Sequence, residues 1–238
     1  MTFLFTLIAV VIAAIALRKP IVKAPWVFYA LAVLLDVVLL MSQTQVLPLQ
    51  ARLAIAYLMQ RGGLGVATFI LVMYIGVLPR ASWASRWLRP IRAELSIIAC
   101  ILIAGHMCVF LPVYAMPFFT GNLSQINVIG AFAMALCLLV LVLVLGITSF
   151  RFVKRRMKAR TWRKIQRFAY LFYALVFAHV TLMLAPAAAA GNTGTAATMG
   201  VYCVVFVVYT ALRIHRAQVD RREKIDLEQT IIEQGFVE

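Results

Sequence analysis

Two histidines lie deep inside apolar runs, where an imidazole can do little except bond across helices or bind a metal. His106 follows Glu94 by twelve residues, and His179 follows Arg167 by twelve. If both runs are helices and both charged residues mark the same membrane edge, each ring sits about 18 Å deep at 1.5 Å per residue. Two imidazoles at equal depth on parallel helices are what bis-histidine ligation of a haem iron requires. Ionisable residues at such depth are costly and mark functional sites. The plainer alternative is that each histidine only hydrogen-bonds to a neighbouring helix, as polar residues in bundles do. A non-haem metal would call for further carboxylate, histidine or thiolate ligands. Cys108, two residues after His106, falls on a different helix face.

The elements that must carry these residues are transmembrane helices. The chain has 238 residues, 64% of them hydrophobic, and a mean hydropathy of +0.97. A span takes roughly 20 apolar residues, and in lipid its backbone must be helical. Seven segments qualify: Thr2–Leu17, Trp26–Val46, Leu53–Leu78, Leu95–Tyr114, Val128–Phe150, Phe168–Leu184 and Thr195–Leu212. The first is as short as a signal h-region but lacks a basic flank and a cleavage site, so it reads as a span. The expected class is therefore an all-α polytopic membrane bundle of about seven helices.

Orientation follows from charge. Of the 23 basic residues, 21 fall after the first, third, fifth and seventh segments. Those regions share one side in a seven-helix arrangement. The positive-inside rule makes that side cytoplasmic, with the amino terminus outside and the carboxyl terminus inside. The net charge of +15 therefore belongs to connecting loops, and no nucleic-acid motif accompanies it. The four cysteines form no CxxC pair and read as small buried residues. From Asp220 onward the chain is mixed-charge and reads as a short cytoplasmic helix or tail. It carries no GxGxxG, so a cytoplasmic electron donor would have to be another polypeptide, a diffusing flavin or a quinol.

Three stretches taken together resemble a known family. RGGLGVATFILVMYIGVLPR (Arg61 to Arg80) resembles the helix that opens the ferric-reductase-like transmembrane domain. RPIRAELSIIACILIAGHMCVFL (Arg89 to Leu111) resembles its first histidine helix. ITSFRFVKRRMKARTWRKIQRFAYLFYALVFAHVTLML (Ile147 to Leu184) is similar to its basic loop and second histidine helix. The family includes NADPH oxidases, metalloreductases and the haem-binding membrane partner of periplasmic methionine-sulfoxide reductase. The resemblance implies transmembrane electron transfer through haem b, with His106 and His179 as iron ligands. Gln166 stands where the family has a further histidine, so a single haem is expected. His215, at the cytoplasmic end of the seventh segment, is the one other histidine that could ligate a second, and it reads as an exposed interfacial residue.

The resemblance divides the chain into two additional helices (residues 1–52), a haem-binding bundle (53–214) and a cytoplasmic tail (215–238). Asp36 and Arg61 come to similar depth and are expected to form a buried ion pair; alternatively Arg61 meets a haem propionate. The basic run from Arg151 to Arg167 would draw a flavin phosphate (FMN or FAD) or an acidic donor to the cytoplasmic face. Electrons would then enter near Gln166, Arg167 and Tyr170. The aromatics Phe168, Tyr170, Phe172, Tyr173 and Phe177 lie between that face and His179 and either bridge the gap or simply pack. The expected protein is a haem-bearing oxidoreductase subunit of a bacterial-type inner membrane, with a separate donor inside and an acceptor outside. A quinone-linked cytochrome b subunit and a non-redox assembly subunit are the rival readings.

Overall fold

The structure, a computed structural model, describes residues 2–44, 46–59, 62–79, 81–122 and 125–233. Among these every regular element is helical. In chain order they are α1 (Thr2–Ala16), α2 (Arg18–Lys23), α3 (Pro25–Ser42), α4 (Leu49–Met59), α5 (Gly63–Val77), α6 (Trp83–Leu88), a 3-10 turn (Arg89–Ile91), α7 (Arg92–Phe119), α8 (Ile126–Ser149), α9 (Arg151–Arg156), α10 (Ala159–Gln166), α11 (Phe168–Ala189) and α12 (Thr193–Glu233). Five helical runs are long and apolar enough to cross a membrane: Pro25–Ser42, Trp83–Phe119, Ile126–Ser149, Ala159–Ala189 and Thr193–Thr230. Large apolar side chains such as Trp26, Leu34, Val140 and Val207 point outward from them, as they do where lipid replaces water. This is the make-up of a multi-pass membrane protein.

Local chemistry places the boundaries. Pro25 opens α3, where its missing N–H costs nothing. The Ser82 side chain caps α6 by accepting from Ser85 N–H at 3.2 Å. After α11, Gly191 takes φ +88°, and Asn192 N–H turns back to Ala187 O at 3.1 Å. The Asn192 side chain then accepts from Thr195 N–H at 2.9 Å and starts α12. Pro112 and Pro117 lie within α7 without ending it; proline is tolerated in membrane helices.

The segment Leu53–Leu78, expected as one helix, is two. α4 ends at Met59, α5 begins at Gly63, and Gly62 between them is left-handed at φ +65°. A left-handed residue cannot propagate a right-handed helix, so the apolar run breaks there. α5 has only 15 residues, about 22 Å of helix, yet most of its side chains are buried. It is enclosed by protein, which is where a break at membrane depth is tolerated. The acidic tail is also not a separate element. It continues α12, whose 41 residues extend about 60 Å, far beyond a hydrocarbon core of about 30 Å.

α5 is the hub. It packs on α7, and a ring runs α5–α7–α8–α11–α12 and back to α5, with α3 against the outside of α7 and α1 against α5 and α12. At one end Glu94, buried in the first turn of α7, accepts from the Tyr29 hydroxyl of α3 and from Arg151 at 2.6 Å. The residue expected to mark a membrane edge is thus a three-way tie between α3, α7 and α9.

Candidate functional site

His106 sits on α7 and His179 on α11, both half-buried. α5 provides a common ruler for them. Gly76 packs on Arg92, and Gly65 packs so closely on α7 that an added Cβ would lie 2.8 Å from Ile103. Gly62 packs against the His106 ring, where a Cβ would lie 3.3 Å from Cγ. On the α11 side, Phe69 of α5 meets Phe172 edge-on with ring centroids 4.5 Å apart. His179 is seven residues beyond Phe172, two turns along the same face. Seven residues back from Phe69 is Gly62. Counted along α5, both histidines therefore come level with the break between α4 and α5.

α8 gives a different count. Cys100 packs on Gly146, and Tyr114 lies beside Phe132, which sets His106 opposite Val140. His179 Nδ1 meets Ala131 O at 2.9 Å, nine residues further along α8. The two routes differ by nine residues, about 13 Å of helix: the α8 route follows contacts along both histidine helices, Ser96 with Ser149 and Asn127 with Leu182 among them, and the α5 route reaches α11 through the Phe69–Phe172 contact.

The donor chemistry of His179 is specific. With its Nδ1–H donated to a backbone carbonyl, the tautomer is set and Nε2 is left as a lone-pair ligand, the arrangement found behind metal-bound histidines. The His106 ring lies against Gly62 and tilts on Phe110 at 4.7 Å. A glycine there keeps the face of the imidazole clear of a side chain. The two residues thus offer imidazole nitrogens, with the tautomer fixed at His179. No group of three or more His, Cys, Asp or Glu that could hold a metal occurs among the described residues.

Asp36 lies on α3 with its carboxyl pressed against Gly105, the residue before His106. Its Oδ1 is buried and has no hydrogen-bond partner among the described residues. Arg61 lies outside the described residues, and with it both roles expected of it. Gln166 ends α10, where it donates to Thr148 Oγ1 at 3.0 Å. Arg167 and Tyr170 are exposed, and so is His215 on α12.

Gln166 and Tyr170 do share a feature, though Arg167 does not. They line a cavity of about 170 Å³ at the arginine-rich end of the ring, together with Gly76, Arg92, Tyr209 and Arg213. From its wall an aromatic column leads inward. Tyr209 meets Tyr173 at 4.4 Å, Tyr173 stacks on Phe206 at 4.0 Å, and Phe206 meets Phe177 at 4.9 Å. Phe177 is two residues from His179. Sequence reasoning found the α11 half of this column and missed Tyr209 and Phe206, whose aromatic spacing on α12 was the available signal.

The chain is similar to an uncharacterized protein of Treponema pallidum (strain Nichols), with 32% identity over 241 residues. The match covers 100% of this chain and 66% of that protein's own length, just under two thirds. No protein-family model and no solved structure matches.

Proposed function

We propose that this chain carries electrons across a bacterial-type inner membrane by holding one b-type haem between His106 and His179. The observation that supports the reading is the pair of imidazoles within the apolar helices α7 and α11, with Gly62 against the His106 ring and His179 Nδ1 engaged by Ala131 O. The resemblance to the ferric-reductase-like domain leads to the same two residues. A bound haem would supply one-electron redox chemistry.

The chain's own residues would do the rest. Ala131 O orients His179, and Gly62 leaves room beside His106. The Tyr209–Tyr173–Phe206–Phe177 column would lead from the basic-end cavity toward His179, over the stretch where Gln166 stands in place of a further histidine. In this reading the chain crosses seven times, through α1, α3, the broken α4–α5 pair, α7, α8, α11 and α12. The basic loops face the cytoplasm, so the amino terminus is outside and the carboxyl terminus inside. The donor is a cytoplasmic flavin or NAD(P)H-linked protein, and the acceptor is a protein or small oxidant outside.

A reduced-minus-oxidised visible spectrum with haem quantitation on the purified protein tests this. The expected result is a b-type α-band, about one haem per chain, and its loss in His106→Ala and His179→Ala. A colourless protein after expression with ample haem, or a His179→Ala variant that keeps its haem, would overturn it.

A further inference from the structure

The arginines at the ring's basic end point to a second site, independent of the haem reading. Arg92 opens α7, Arg89 lies in the turn before it, and Arg213 and Arg216 lie on α12, more than 100 residues away. The fold brings all four around two adjoining cavities that share Gly76 and Arg92. One, of about 170 Å³, is lined by Arg92 and Arg213; the other, of about 330 Å³, is lined by Arg89, Arg92 and Arg216. Either holds far more than one water.

The charge in these cavities is largely uncompensated. The one carboxylate in their walls, Asp220, is taken by Arg216 at 2.8 Å. Arg92 donates through Nε to Val72 O at 3.2 Å, and its Nη2 lies by Gly76, 3.3 Å from where a Cβ would stand. A glycine at that place is what leaves the guanidinium room at the cavity wall. Arg213 lies over the Tyr170 ring, 5.1 Å from its centroid. Holding Arg89, Arg92 and Arg213 together costs like-charge repulsion that an anion would relieve. Guanidinium forks match the oxygen geometry of phosphate.

We infer that these cavities bind a phosphate group, held between Arg92 and Arg213 with Arg89 as a third cation. The walls come from α5, α7, α10, α11 and α12, members of the ring and the short helix leading into it. The lining includes Gln166 at the end of α10 and Asp220 far along α12, both at the basic end of the ring. That favours a phosphate monoester or polyphosphate arriving from water over a phospholipid headgroup, although the two share the chemistry.

The test uses the full chain in phosphatidylcholine nanodiscs, with inorganic pyrophosphate followed by 31P NMR and calorimetry. The expected result is saturable binding near one per chain, weakened at least tenfold in Arg213→Gln and in Arg92→Gln and unchanged in Lys23→Gln, an exposed residue outside the cavities and outside the Arg151–Arg167 run. Arg213 is half-buried on a helix flank, so its variant separates lost binding from lost folding if Arg92→Gln fails to fold. Repeating the titration in discs containing phosphatidylglycerol distinguishes the sources. Unchanged pyrophosphate binding assigns the site to soluble phosphates. Competition, with phosphatidylglycerol retained by the wild type and lost from Arg213→Gln, assigns it to a lipid headgroup. Absence of saturable binding in both disc types, or equal weakening by Lys23→Gln, overturns the site.

Discussion

Gly62 joins the broken crossing to His106, and replacing it by alanine separates backbone strain from contact with the ring. At φ +65° an alanine pays the left-handed penalty of about 1–2 kcal/mol. Its Cβ would also stand 3.3 Å from His106 Cγ and 3.5 Å from Nδ1. The ring must then yield by a few tenths of an ångström, and an imidazole driven about 30° off its rotamer adds roughly 0.5–1.5 kcal/mol. Gly121 is the control. It is also left-handed, at φ +71°, but a Cβ there meets nothing within 4 Å. Gly121→Ala should therefore cost only the strain, about 1–2 kcal/mol, and Gly62→Ala about 1.5–3.5 kcal/mol in total. Gly62→Asn should recover part of the strain, because asparagine tolerates this conformation, while keeping the contact. The assay is reversible unfolding of the three variants in mixed detergent micelles, beside the position of any α-band. Equal losses in Gly62→Ala and Gly121→Ala would refute the claim that Gly62 is held small by His106.

Other consequences can be measured alongside. The buried Glu94 side chain is 4% exposed and its partner Arg151 70%, so the Tyr29 hydrogen bond should dominate. A double-mutant cycle of Tyr29→Phe with Glu94→Gln should give a coupling of about 1–2 kcal/mol, against less than about 1 kcal/mol for Arg151→Gln with Glu94→Gln; the reverse order would be inconsistent with the geometry. Gly105→Ala should destabilise by about 1–3 kcal/mol through overpacking against the Asp36 carboxyl, and Asp36→Ala on top of it should restore most of the loss in the same unfolding assay. Reporter fusions after Asn122 and at the carboxyl terminus should report opposite sides of the membrane, the second cytoplasmic; like signals from both would break the seven-crossing arrangement.

Much of this molecule was legible in one dimension. The bilayer demands long apolar runs and internally satisfied backbones, so the helical class and most crossings follow from composition alone. The histidines stood out for the same reason: an ionisable side chain is conspicuous where lipid is the solvent. Leu53–Leu78 shows where that reasoning stops. As an apolar run it reads as one helix, because the hydropathy of Gly62 and Gly63 says nothing of the sign of φ, and Gly62, between α4 and α5, turns left-handed against the His106 ring. Glu94 read as an edge marker because its partners Tyr29 and Arg151 stand 65 and 57 residues away. Arg92 and Arg213 read as two separate topology signals, and only the closure of α12 onto α5 sets them around one cavity. Membrane burial acts on each segment by itself and is written in local composition; lateral packing acts between segments, and which faces meet was decided by the tertiary structure.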